Sequence, residues 1–160
     1  MSLLHPDHRF REVIEITPEF LAEAGITGVL VDIDNTIVPW RGENPSDEIK
    51  EWFRRLKDAE ISVALLSNAG GPRAERMSET LGVPVIAPAK KPLMSGYRRG
   101  LETLKLAPER VAAVGDQVFM DVLGGNRSSL TTILVEPVSR KEFVATRLLR
   151  QAEKLVRKPL

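Results

Sequence analysis

Eight side chains in this sequence could carry chemistry, and they fall into four short groups. These are Asp32-Ile33-Asp34-Asn35-Thr36, Ser67-Asn68, Lys91 before Pro92, and Asp116 after Gly115 with Asp121 five residues on. The first group ends the apolar run Val29-Leu30-Val31, which is short and β-branched and so reads as a buried parallel strand. Two carboxylates at the end of such a strand are costly unless a cation sits beside them. In an open α/β sheet that end is also where ligands bind. The acids therefore point to a metal, and a metal beside a carboxylate points to phosphate chemistry. With 7 Asp and 8 Thr in the chain, D-x-D-x-T is expected by chance only about 0.015 times. The plainer alternative is a strand end with a turn and a helix cap.

The elements that must position these groups can be read from periodicity and punctuation. Thr17-Pro18-Glu19 reads as a helix start, with Gly25 closing the helix after Ala24. A strand is predicted over 28–33, and a flap rich in turn residues follows, with Pro39, Trp40, Gly42 and Pro45. Trp40 suits either a substrate wall or packing on the sheet. Ser46 caps a helix to about Ala59, with Ile49, Trp52, Phe53 and Leu56 on one face. Further strands are predicted over 61–66, 84–87, 111–114 and 131–135. Helices are predicted over 72–81 (closed by Gly82), 93–104, from Phe119 to Leu123 (closed by Gly124-Gly125), and 142–157. Five strands alternating with helices make a single α/β domain, a three-layer Rossmann-like fold with a five-stranded parallel sheet. Residues 1–27 form a lead-in, 28–135 the core, and 139–160 a basic amphipathic C-terminal helix. Polar groups then end four successive strands on one side of the sheet, an arrangement hard to explain as stability.

Composition narrows the classes. One core of ordinary apolar content fits 160 residues. There is no cysteine, so disulfides and thiol catalysis are excluded. No run is long enough for a membrane span, no apolar leader is evident, and a cytoplasmic location is expected. His5 and His8 near Asp7 have a spacing compatible with metal, but a frayed terminus of this kind is normally solvated. The net charge of +1 is unevenly spread, with 7 Lys/Arg and 2 Glu falling in residues 139–160.

In order and spacing, the four groups resemble the motifs of the haloacid dehalogenase superfamily of phosphohydrolases, subclass IIIA. With Trp40, Ala89-Lys90-Lys91-Pro92 and the run Gly115-Asp116-Gln117 through Asn126-Arg127, the resemblance extends to the YqeG subgroup. That subgroup is related to phosphatases acting on phosphatidylglycerophosphate. The resemblance implies a Mg²⁺-dependent phosphomonoester hydrolase. Asp32 and Asp116 side chains and the Asp34 carbonyl would hold the metal. Asp32 would be the nucleophile that forms an aspartyl-phosphate, and Asp34 the general acid and base. Ser67, Asn68 and Lys91 would bind the phosphoryl group, Thr36 would fix the loop, and Asp121 would orient Lys91 or a metal-bound water.

The gaps between Thr36 and Ser67 and between Asn68 and Lys91 leave no room for a large cap domain, so an open site is expected. An open site suits a substrate presented on a surface, such as an anionic lipid head group. The basic segment 139–160, with Val144, Leu148, Leu149, Ala152, Leu155 and Val156 at helical spacing, is read first as a helix covering the sheet with its basic residues solvated. Peripheral contact with the inner face of an anionic membrane is compatible with it. Base-stacking on nucleic acid is not indicated, since Phe143 is its one aromatic. A homo-oligomer is compatible with this composition. Two other readings compete: a phosphatase of a soluble sugar phosphate, phosphoamino acid or nucleic acid end, and a receiver-like phospho-accepting module. The latter places its phosphorylated Asp on the third strand, where this chain has Ile86-Ala87-Pro88.

Overall fold

A computed structural model of the chain describes residues 2–139 and 144–157, with the side chains of 144–147 outside the description. One parallel sheet runs through the molecule. Its strands are β1 (His8–Phe10), β2 (Gly28–Val31), β3 (Ser62–Leu66), β4 (Val85–Ile86), β5 (Val111–Gly115) and β6 (Thr131–Val135), in the order β1-β6-β5-β2-β3-β4. The sheet therefore has six strands, not the five that the sequence pattern predicts. The additional edge strand comes from the lead-in, where His8 pairs with Ile133 and Phe10 with Val135. It is three residues long and half-buried throughout, so it carries no alternation to be read.

Strand alternation builds the two sides of the core. Val29 and Val31, Val63 and Leu65, and Ala112 and Val114 face one side. Leu30, Ala64, Leu66 and Ala113 face the other. The first side is covered by α1 (Pro18–Glu23), α2 (Asp47–Asp58) and α3 (Pro72–Leu81). Thr17 Oγ1 accepts from Phe20 N at 3.1 Å and Ser46 Oγ from Ile49 N at 3.2 Å, so both expected caps form. Trp52 of α2 is buried and donates from Nε1 to Ile16 O at 2.8 Å.

The second side is covered by α4 (Met94–Leu104) and α5 (Leu123–Arg127), which follows a π-helical turn over Val118–Val122. Gly124 and Gly125 do not close that helix, as their sequence position suggests; they lie inside it. A Cβ on Gly124 would stand 2.4 Å from the Tyr97 ring, and one on Gly125 2.6 Å from Thr132 Cγ2. These glycines serve close packing rather than termination.

The chain leaves β2 in one direction to β3 and β4, then crosses back to β5 and β6. The reversal lies between β2 and β5, whose residues pair from Gly28–Val111 to Val31–Val114. That is the crevice where open α/β sheets bind ligands. The C-terminal helix α6 (Val144–Glu153) lies beside it. Two of the leucines expected to pack down do not: Leu148 is 71% exposed and Leu155, just past α6, 88%, while Leu149 is half-buried. Arg150, Glu153 and Arg157 face inward instead. The expected solvated basic face is thus corrected for Arg150 and Arg157. Arg140, Lys141, Phe143 and Lys158, with the side chains of Val144 and Arg147, lie outside the described residues.

Candidate active site

β2 ends at Val31, two residues earlier than expected, and Asp32 follows with its N–H still donating to Val114 O at 2.9 Å. Asn35 then adopts φ 58°, a left-handed conformation that Asn tolerates better than most residues. The tight turn is closed by Asn35 N donating to Val38 O at 2.8 Å. This is how Asp34 leaves the line of the strand.

Asp32, Lys91, Asp116 and Asp121 meet in one buried cluster. Lys91 Nζ donates to Asp32 Oδ1 at 2.8 Å and to Asp121 Oδ1 at 2.7 Å. Thr36 Oγ1 lies 3.2 Å from Asp32 Oδ2 and 3.3 Å from Asp116 Oδ1, between the two acids. Asp121 Oδ2 accepts from Gln117 N at 3.1 Å, so both of its oxygens are engaged. One carboxylate oxygen from each of Asp32, Asp116 and Asp121 lies within 4.8 Å of the other two. The adjacent lysine, Lys90, is exposed and stands apart from the cluster's buried Lys91.

Burial governs the electrostatics. It pushes the Asp32 carboxyl up to about 6, with Lys91 pulling the other way and Asp121 adding to the rise. Asp116 is raised well above the carboxylate range by burial and by Asp32 and Asp121, against the pull of Arg150. Burial alone would lower Lys91, but Asp121 and Asp32 outweigh it and raise it. Tyr97, beneath the cluster, is raised by burial and by Asp121, and its hydroxyl donates to Met120 O at 3.0 Å.

Ser67 and Asn68 stand at the end of β3. The Ser67 hydroxyl accepts from Ala69 N at 3.2 Å, folding the turn. The Asn68 side chain does something the sequence does not announce: it brackets the Lys91 backbone, accepting from Lys91 N at 2.7 Å and donating to Lys91 O at 3.1 Å. All eight residues singled out from the sequence therefore lie at one end of the sheet. Asp32, Asp34, Ser67, Asn68 and Lys91 also line a cavity of about 880 Å³. Trp40 and Arg41 of the flap wall it, with the Arg41 guanidinium 4.5 Å above the Trp40 ring.

Sequence reasoning missed two groups of residues. Arg73, in the first turn of α3, grips Asp34 with Nη2–Oδ1 at 2.8 Å and Nη1–Oδ2 at 3.2 Å. It also donates to Gly42 O from Nε at 2.9 Å and Nη2 at 2.7 Å, tying flap to helix. Its position just past the Ser67 turn was the available signal. The second group is on α6: Arg150 and Arg157 both reach Asp116. Their spacing with Glu153 marks one helix face, but the leucines at similar spacing gave a competing and stronger apolar pattern. The His5–Asp7–His8 spacing has another use. Asp7 Oδ2 accepts from Thr132 N at 2.9 Å, and the His8 ring packs edge-on to Phe20 at 5.0 Å.

Residues 8–128 match the family model described as haloacid dehalogenase-like hydrolase. The chain is 38% identical over 151 residues to a probable phosphatase YqeG of Bacillus subtilis, covering 94% of this chain and 88% of that one. It is 30% identical over 141 residues to a phosphatidylglycerophosphate phosphatase 1 of Arabidopsis thaliana, covering 78% of this chain and 38% of that longer protein. In fold it is similar to the cobalt-bound deoxy-D-mannose-octulosonate 8-phosphate phosphatase of Haemophilus influenzae, with a TM-score of 0.55, 21% identity, and 69% and 68% of the two chains covered. The chain belongs to the haloacid dehalogenase-like hydrolase family, as an enzyme of its phosphatase branch.

Proposed function

We propose that the protein is a Mg²⁺-dependent phosphomonoesterase that works through a phosphorylated Asp32, with a phosphatidylglycerophosphate-like lipid head group as its substrate. The observation that carries the mechanism is the buried cluster in which Lys91 bridges Asp32 and Asp121 while Thr36 spans Asp32 and Asp116. Its three carboxyl groups face two cations, Lys91 and Arg150, so the buried acids outnumber their cationic partners. Oxygens within 4.8 Å of one another come close to the span of about 4.2 Å between opposite ligands of one octahedral Mg²⁺. The donor set, all hard oxygen, also fits that ion.

Asp32 and Asp116 side chains and the Asp34 carbonyl would hold the metal, while Asp121 is already committed to Lys91 and Gln117. When bound, the ion supplies positive charge that lets an anionic phosphate approach a carboxylate. The residues of the chain do the rest. Asp32 attacks phosphorus as the leaving alkoxide departs, and Asp34 gives that oxygen a proton. Asp34 then takes a proton from the water that opens the acyl phosphate. Ser67 and the Asn68 N–H bind phosphoryl oxygens, and Lys91 balances charge on Asp32 and the phosphoryl group.

The lipid reading is supported by the resemblance to phosphatidylglycerophosphate phosphatase and by the roomy cavity walled by Trp40 and Arg41. The outward face of Leu148, Ala152 and Leu155, with Lys154 exposed, suits peripheral contact with an anionic bilayer. Phosphate release from phosphatidylglycerophosphate in mixed micelles, compared with sugar phosphates, phosphoamino acids and nucleic acid 3′-phosphates, tests the substrate. Preference for a soluble ester would remove the lipid. Co-sedimentation with anionic and neutral vesicles tests the membrane contact, which requires weaker binding to anionic vesicles in Leu148→Glu and Leu155→Glu.

A further inference from the structure

The C-terminal helix is built into the active site through one acid. Arg150 Nη2 donates to Asp116 Oδ2 at 2.6 Å, and its Nη1 donates to the backbone oxygen of the same residue at 3.0 Å. Arg157 Nη2 donates to that backbone oxygen too, at 2.8 Å, while its Nη1 reaches Glu136 Oε2 at 3.1 Å. Glu153, the last residue of α6 and between the two arginines in sequence, is buried and accepts from Phe119 N at 3.0 Å. Val156 adds apolar contact with Val118, Val122 and Leu134. Three charged side chains and one valine thus dock the helix on the segment that carries Asp116.

The two oxygens of Asp116 are thereby distinguished. Oδ2 is taken by Arg150, while Oδ1 is turned toward Thr36 and Asp32. A carboxylate just past a strand end can rotate about its side-chain bonds, and among the described residues Arg150 is the side chain that holds Asp116 Oδ2. A guanidinium that holds one oxygen and the backbone of the same residue removes that freedom. It presents the other oxygen to the place where Asp32 also points.

We propose that Arg150, with Arg157 behind it, is a positioning residue of the phosphatase: it orients Asp116 for the divalent cation, and the C-terminal helix is in this way part of the catalytic apparatus. The inference rests on the cation-dependent reading above. Partners of this kind, one step removed from the metal, typically change its affinity by about 10–100-fold when lost.

The test measures metal binding directly, by the loss of the free Mn²⁺ electron paramagnetic resonance signal on titration of the full chain. Arg150→Gln is expected to weaken Mn²⁺ binding by about 10–100-fold. Arg150→Lys, which keeps the charge but not the two-pronged geometry, should recover part of the loss. Gln151→Ala, on the exposed side of α6, should bind as the parent does. Thermal unfolding of the same samples shows whether each variant is folded. If Arg150→Gln is not, Arg157→Gln, which spares the bond to Oδ2, should show a smaller weakening in a folded protein. Failure of the parent protein to bind Mn²⁺ would sink the cation-dependent reading itself. Binding by the parent together with equal or tighter binding by folded Arg150→Gln, or by folded Arg157→Gln where that variant stands in, would leave that reading intact and overturn the positioning role.

Discussion

The side-chain amide of Asn68 and the backbone of Lys91 form a closed two-bond pair, 2.7 Å from Lys91 N to Asn68 Oδ1 and 3.1 Å from Asn68 Nδ2 to Lys91 O. The end of β3 therefore sets where Lys91 begins, and Lys91 in turn spans Asp32 and Asp121. Asn68→Asp keeps the acceptor but replaces the donor with an oxygen facing a carbonyl. It is expected to lower kcat/KM for aryl phosphate by at least about tenfold and stability by about 1–3 kcal/mol. Steady-state kinetics and urea unfolding check the two effects separately.

The Asp32 carboxyl rises from 3.8 to about 6 on folding. The folded state then holds the proton more tightly than the unfolded chain, so stability falls as pH rises through the interval from about 4 to 6. The penalty is absent below the unfolded value and complete above the folded one, on the order of 3 kcal/mol for this group. Asp116, also raised, adds in the same sense. Metal-free protein should therefore unfold more readily at pH 7 than at pH 4.5. Asp32→Asn should flatten that dependence, and added Mg²⁺ should raise Tm most at pH 7. The same variant should lose phosphatase activity by at least about 10³-fold.

Arg73 holds Asp34 by both carboxylate oxygens and holds the flap through Gly42 O. An acid that protonates a leaving oxygen matters most when that oxygen is a poor leaving group. Arg73→Met is expected to depress hydrolysis of an alkyl phosphate by about tenfold more than hydrolysis of p-nitrophenyl phosphate. Equal losses on both substrates would show that the arginine acts on the fold of the flap alone.

Gly115 ends β5 where nothing larger fits, since a Cβ there would lie 2.0 Å from Asp121 Cγ. Gly115→Ala must push Asp121 away from Lys91. Overpacking of this kind costs about 1–3 kcal/mol. The variant is also expected to lose most of its activity, whereas Gly82→Asn, at a helix end with φ 67° and open space around it, should keep its activity. Thermal unfolding beside phosphate release separates the two outcomes.

The sheet core was legible because strands buried on both faces write themselves as short apolar runs. The runs ending at Val31, Leu66 and Val135 and the caps at Thr17 and Ser46 all form. The eight polar residues were legible because each follows such a run or sits at a fixed spacing from one. The edge strand at His8–Phe10 was not, because three half-buried residues have no period. Nor was the interior placement of Gly124 and Gly125, because the sequence does not show that Tyr97 and Thr132 stand against them.

The chain of amino acids alone determined that a parallel α/β sheet would carry acids, a hydroxyl, an amide and a lysine at one rim, since strand ends and loops are local features. Only the folded molecule decided which of them touch. Lys91 joins Asp32 to Asp121 across separations of 59 and 30 residues. It also decided that α6 meets the protein through Arg150, Glu153 and Arg157 while Leu148 and Leu155 look outward. Periodicity says that a helix has two faces. The buried Asp116, just past β5, takes Arg150 and Arg157 as partners and so turns that face inward, because a buried acid without a cation beside it costs more than exposing two leucines.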